Sequence, residues 1–173
     1  MPKNVEIKAN VEDVKKLKVL AEELSLMEGK LIVQEDTFFL VPNGRLKLRE
    51  IQDDKAQLIF YKRSDTTSAK LCEFHTTNVS DPKQLKCVLG AALGVRGVLK
   101  KQRLLYMVDQ TRIHIDQVEG LGEFMELEVV LGESDTVEGG VKIAQDLMDK
   151  LGISKTDLID VAYIDLLLAK TNT

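Results

Sequence analysis

Arg112-Ile113-His114-Ile115-Asp116-Gln117-Val118, then Glu119-Gly120-Leu121-Gly122, then Glu123-Phe124-Met125-Glu126-Leu127-Glu128, is the stretch that decides the fold. Arg112, His114 and Asp116 alternate with Ile113 and Ile115, and Glu126 and Glu128 alternate with Met125 and Leu127. A period of two places alternate side chains on opposite faces of a strand, so this stretch reads as two strands separated by a glycine-bearing turn. One face is apolar. The other carries full charges where an ordinary polar face would carry Ser, Thr or Gln.

The same pattern recurs outward from this stretch. Residues 4–10 set Asn4, Glu6 and Lys8 against Val5, Ile7 and Ala9; further strands are expected over Leu31–Leu40, Arg45–Ile51, Ala56–Arg63, Ala69–Thr77 and Val98–Val108, with the last of the set at Glu123–Leu131. Pro42-Asn43-Gly44 and Asp53-Asp54 supply tight turns, and the polar stretch Ser64–Ser68 leads into the Ala69 strand. Val14, Leu17, Ala21 and Leu24 recur at helical spacing between Glu12 and Met27. Asp81-Pro82 opens a second helix through Leu93, Gly139-Gly140 precedes a third reaching about Leu151, and Thr156–Ala169 is apolar enough to pack without declaring its type. Eight strands with few helices and no regular strand-helix alternation favour a mainly β (α+β) fold with an antiparallel sheet, and closure into a barrel removes its exposed edges.

The recurring charged set is Glu6 and Lys8; Arg45, Lys47 and Arg49; Lys62; Lys101 and Arg103; Arg112, His114 and Asp116; Glu126 and Glu128. Two readings fit it. In one, the charges form the solvated face of an ordinary sheet. In the other, the apolar faces pack outward against helices and the charges line a central cavity, where they must pair or bind a ligand. A lumen of that kind suits a polyphosphate gripped by Arg and Lys, with Glu6, Asp116, Glu126 and Glu128 offering hard oxygen ligands to Mg²⁺ or Mn²⁺.

Composition narrows the field. A chain of 173 residues with 44% hydrophobic and 30% charged residues is expected to form one domain over 1–173. A net charge of −4 argues against general nucleic-acid binding. Neither a signal peptide nor a membrane-length apolar run is seen, and Cys72 and Cys87 lack CxxC spacing, so the expectation is a cytoplasmic protein with reduced thiols and no membrane partner. The GxxxxGK[ST], GxGxxG and GxSxG motifs are missing. His75 and His114 lack HExxH spacing and read as hydrogen-bonding residues, neither assigned to catalysis, and Tyr163 is a candidate contact to a base or sugar.

At Asn4-Val5-Glu6-Ile7-Lys8, Arg45-Leu46-Lys47-Leu48-Arg49, Phe60-Tyr61-Lys62, Lys101-Gln102-Arg103, Ile113-His114-Ile115-Asp116 and Gly120 through Glu128, the sequence resembles the CYTH superfamily over nearly its whole length. That group contains class IV adenylyl cyclases, thiamine triphosphatases and tripolyphosphatases. The resemblance implies an eight-stranded triphosphate tunnel. It further implies that Glu6, Glu126 and Glu128 bind metal, with Asp116 a further ligand or a group orienting water. Lys8, Arg49, Lys62, Lys101 and Arg103 are implied to bind phosphate, and Arg45, Lys47, Arg112 and Glu73 match the family less fully. Lys8, Arg103 and Asp116 are the residues expected to be catalytic. Asn4 stands where the family's first glutamate is expected, which bears on one metal ligand. The motifs look most like the class IV cyclase branch, which suggests a homodimer.

The reaction expected is Mg²⁺- or Mn²⁺-dependent hydrolysis of inorganic triphosphate, a nucleoside triphosphate or thiamine triphosphate. Its alternatives are cyclisation of ATP to cyclic AMP and pyrophosphate, and a non-catalytic module that binds polyphosphate.

Overall fold

The computed structural model describes residues 2–63 and 69–172, and the Ser64–Ser68 stretch lies outside them. In chain order the elements are β1 (Lys3–Asn10), α1 (Val14–Ser25), β2 (Lys30–Phe39), β3 (Arg45–Ile51), β4 (Lys55–Arg63), β5 (Lys70–Asn78), α2 (Pro82–Leu93), β6 (Val95–Val108), β7 (Thr111–Val118), β8 (Gly122–Leu131), α3 (Val137–Lys150) and α4 (Tyr163–Thr171). The strands close into an antiparallel barrel in the order β1-β5-β4-β3-β2-β6-β7-β8. Every strand therefore has two partners, and no open edge is left.

The turns follow from local chemistry. Asp53 and Asp54 both take positive φ, 66° and 57°, which matches the twist of the β3–β4 hairpin. Gly44 reaches φ 63° before β3, where a Cβ would lie 2.7 Å from the Tyr61 carbonyl oxygen. Helix starts are capped by side chains: Asp13 accepts from the Lys16 backbone N–H at 3.0 Å, and Asp81 accepts from that of Gln84 at 3.1 Å ahead of Pro82.

Three elements differ from the sequence reading, the first being β6, which starts at Val95 and not at the expected Val98. Helix α3 starts at Val137, so Gly139 and Gly140 lie within its first turn and do not precede it. Thr136 caps it by accepting from the Gly139 N–H at 3.0 Å, and Gly140 lets the helix lie directly on the barrel, since a Cβ there would come within 2.8 Å of both Val5 and Leu131. The untyped C-terminal segment resolves into a 3-10 turn at Lys155–Asp157 followed by α4.

The barrel is apolar outside and charged inside. Val5, Ile7, Ala9, Ile113, Ile115, Met125, Leu127 and Val129 face outward and are buried beneath Leu17 and Ala21 of α1 and Ala144, Leu147 and Met148 of α3. That packing is the main apolar core, and burial of each of its Val, Leu, Ile and Met side chains contributes about 1.5–3 kcal/mol before entropy is counted. A second cluster forms at one end of the barrel, where Ala162, Tyr163 and Ile164 at the start of α4 meet Phe38, Leu99, Val118 and Phe124. Most of the charges that look like a solvated face are thus turned inward. Among the described residues, no helix is long and apolar enough to cross a membrane.

Candidate active site

Inside the barrel lies a cavity of about 390 Å³, the scale of a small-molecule site. Strand parity supplies its walls: Glu6 and Lys8 from β1, Asp36 from β2, Lys47 and Arg49 from β3, Arg63 from β4, Lys101 and Arg103 from β6, Arg112 and His114 from β7, and Glu126 and Glu128 from β8. Seven Lys and Arg side chains face four carboxylates around it. Ala162, Tyr163 and Ile164 line the α4 end.

The register sets which charges meet. Glu6 lies opposite Glu128 and Lys8 opposite Glu126 across the β1–β8 pair, while Arg103 lies opposite Asp116 across β6–β7. Arg103 donates through Nε and Nη2 to the two Asp116 oxygens, each at 2.7 Å, and through Nη2 to Glu126 Oε2 at 2.8 Å. The Tyr163 hydroxyl donates to Asp116 Oδ2 at 2.9 Å, and the Tyr163 ring lies 4.3 Å from Lys8 Nζ and 5.4 Å from Lys101 Nζ. Asp116 is fully buried, and both of its oxygens are engaged by Arg103 and Tyr163. Its geometry is that of a group orienting Arg103. A second unit stands opposite: Asp36 accepts from Arg49 Nε and Nη2 at 2.7 Å and from Lys47 Nζ at 3.1 Å. Arg112 Nε donates to Glu128 Oε2 at 2.9 Å.

Burial and crowding shift the ionisation of these groups. Burial, joined by Arg103 and Arg49, lowers Lys101 to about 7, and burial lowers Lys8 to about 8 although Glu126 pulls the other way. Burial and the charges of Glu128 and Glu126 raise Glu6 to about 8. Burial opposes ionisation of Glu126 too, but Lys8, Arg103 and Lys101 outweigh it and hold that carboxyl well below its ordinary value. Burial and Arg103 lower His114 to about 4, leaving its imidazole neutral at pH 7. Two weakened lysines in a cavity already rich in cations mark a place where a polyanion would be accommodated.

Among the described residues, His114, Glu126 and Glu128 are the one group of three metal-capable side chains whose ligand atoms all lie within 4.8 Å of one another. His114 Nδ1 is buried and has no hydrogen-bond partner. That orphaned atom beside two carboxylates fits a divalent cation. Glu6 is next to the group through its register with Glu128, and Asn4 also faces the cavity, its Oδ1 buried without a partner.

Most of the residues read from the sequence converge here: Glu6, Lys8, Lys47, Arg49, Lys101, Arg103, Arg112, Asp116, Glu126 and Glu128. Arg45 sits at the α4 end, where it donates to Asp165 at 2.7 Å. Lys62 is a correction. Parity turns it to the outer surface, exposed and opposite Glu73 in the β4–β5 register, and brings Arg63 into the cavity in its place. Asp36 and Arg63 were not anticipated, and His114, read as a hydrogen-bonding residue, has a ring nitrogen that bonds to nothing in the described structure. The difference between neighbours is testable. Lys62→Ala should leave triphosphate affinity within about twofold, whereas Arg63→Ala should weaken it about tenfold, as calorimetric titration would read; the reverse ranking would contradict this placement.

The model of the CYTH domain family matches residues 2–163. A candidate adenylate cyclase of Methanocaldococcus jannaschii is 27% identical over 94% of this chain and 97% of its own. Adenylate cyclase CyaB of Aeromonas hydrophila is 28% identical over 75% of this chain and 70% of its own. Among solved structures, a Pyrococcus horikoshii protein superposes with a TM-score of 0.84 at 26% identity, covering 95% of this chain and 99% of that one.

Proposed function

The chain belongs to the CYTH domain family, and from that premise we propose that it hydrolyses a triphosphate with the aid of a divalent cation, Mg²⁺ or Mn²⁺. It is an enzyme of the triphosphate-processing kind, and its family is metal-dependent. The observation that carries the hydrolytic reading is the cavity's cation excess beside a separate carboxylate group. Inorganic triphosphate, a nucleoside triphosphate and thiamine triphosphate all present the anion this cavity suits.

Lys8, Lys47, Arg49, Lys101 and Arg103 would grip the phosphate oxygens, Arg by forked hydrogen bonds and Lys as point charges. Asp116 and Tyr163 hold Arg103 in place before substrate arrives, so little reorganisation is required as charge develops. Glu6, Glu126 and Glu128 would hold the cation, which when bound neutralises phosphate charge and makes water a better nucleophile. Water would form a new P–O bond as the bridging P–O bond breaks, the diphosphate leaving with the electron pair and the proton lost by water passing to the departing phosphate oxygen or to solvent. Hydrolysis needs only what the cavity supplies. Cyclisation of ATP requires in addition that the ribose 3′-hydroxyl be aimed at the α-phosphate. That second reading is favoured by the two relatives bearing cyclase names and by apolar surface from Ile32, Phe74 and Leu105, which could receive a base.

Phosphorus NMR with Mg²⁺ or Mn²⁺ and each triphosphate in turn distinguishes them. Orthophosphate with a diphosphate supports hydrolysis. Pyrophosphate with cyclic AMP from ATP would replace it with the cyclase reading, and binding without turnover would reject both.

The depressed lysines give a pH prediction. At pH 8 Lys101 is mostly neutral and Lys8 about half so. A bound triphosphate restores their charge, so metal-free binding at pH 8 should take up between about one and one and a half protons, read from calorimetry in buffers of different ionisation enthalpy. Lys101→Met should remove most of that uptake, and binding heats independent of buffer would contradict the assignment. The sign for stability follows. The unfolded chain holds more protons on both lysines between about 7 and 10.5, so their contribution to stability of the free protein rises with pH through that window; Glu6, raised to about 8, opposes it between 4.5 and 8.

A further inference from the structure

One ring nitrogen in the cavity has a chemical identity that the carboxylates beside it do not. Glu126 Oε2 accepts from Arg103 at 2.8 Å and Glu128 Oε2 accepts from Arg112 at 2.9 Å. The second oxygen of each carboxylate thus has no hydrogen-bond donor among the described residues. His114 lies on β7 in register with Glu126 across the β7–β8 pair, and is 4% exposed. Its Nδ1 lies 3.8 Å from Glu128 Oε1, too far for a hydrogen bond, and is buried with no partner. A buried polar atom left unmade costs about 1–3 kcal/mol; Asn4 Oδ1, Gln34 Oε1 and Arg63 Nε in the same cavity are likewise buried without a partner, and His114 is set apart by belonging, with Glu126 and Glu128, to a group whose ligand atoms lie within 4.8 Å of one another.

We propose that His114 Nδ1 is a direct ligand of the divalent cation held by Glu126 and Glu128, and that it selects Mn²⁺ over Mg²⁺. Mg²⁺ takes a near-octahedral shell of oxygens and keeps much of its water, whereas an imidazole nitrogen suits first-row transition ions. Two carboxylates alone would not separate the two ions in this way. The inference rests on the reading that this cavity holds a cation, and it adds which cation and which atom.

The test is pulsed electron paramagnetic resonance of Mn²⁺ bound to the full-length protein, with His75→Gln as background so that one histidine remains. A ¹⁴N coupling that changes to a ¹⁵N coupling on ¹⁵N-histidine labelling is the expected result, and it needs no variant at His114. His114→Gln should abolish that coupling, weaken Mn²⁺ by about tenfold or more in calorimetry and leave Mg²⁺ within about twofold. Mn²⁺ bound with no histidine coupling, or no Mn²⁺ bound at all, overturns the proposal. A histidine coupling in a protein that turns over none of the triphosphates supports this proposal while rejecting the hydrolase reading, and turnover without the coupling does the opposite.

Discussion

Glu126→Gln should lower metal-dependent triphosphate turnover by about 10²–10³-fold or more while leaving the barrel folded. The substitution keeps the shape of the side chain and removes one negative charge from the point where β1, β7 and β8 converge, opposite Lys8 and His114 in register. Glu126 stays ionised because Lys8, Arg103 and Lys101 overcome the cost of burying it. A neutral amide there leaves Arg103 still held twice by Asp116, so the structural penalty is modest. Cation affinity should fall together with turnover. Steady-state phosphate release beside a Mn²⁺ titration reads both, and a variant that retains more than about a tenth of wild-type turnover would remove Glu126 from the metal-binding role.

The second large effect is on stability. Arg103→Met preserves much of the side-chain volume but leaves Asp116, fully buried, and Glu126 without their guanidinium. Breaking a buried ion pair from one side typically costs about 3–5 kcal/mol, because the remaining charge has no solvent to turn to. Denaturant unfolding should show a loss of that order, and turnover should fall with it. Arg103→Lys keeps the charge yet cannot make the paired Nε and Nη2 contacts, so it should recover stability only in part. Adding Asp116→Asn to Arg103→Met should return some of the loss, since it removes one of the stranded charges. An Arg103→Met protein as stable as the wild type would contradict the ion-pair account.

How far the sequence carries can be seen strand by strand. Over Arg112–Asp116 on β7 and Met125–Val129 on β8 the alternation holds, so Arg112, His114 and Asp116 share one face of β7 and Glu126 and Glu128 one face of β8. On β4, Tyr61-Lys62-Arg63 sets two cations side by side, and alternation alone does not tell which faces inward. Only closure of the barrel, with Tyr61 in the lumen, selects Arg63. Gln34-Glu35-Asp36 on β2 poses the same problem, and it hid Asp36, the partner of Lys47 and Arg49. The inward turn of the charged face also depended on something nonlocal: the apolar face is covered by α1 and α3. Tyr163 reaches Asp116 from 47 positions away, a contact that no local period announces. Alternation puts His114 on the charged face of β7, yet its unpartnered nitrogen becomes visible only when β8 lies beside β7.

A crystal structure with Mn²⁺ and a slowly hydrolysed triphosphate analogue tests the central claim most directly. The account predicts the phosphates inside the barrel among Lys8, Lys47, Arg49, Lys101 and Arg103, with Mn²⁺ at Glu126 and Glu128. Phosphate density on the outer surface, beside Lys62 or elsewhere, with the lumen holding only solvent, would contradict it.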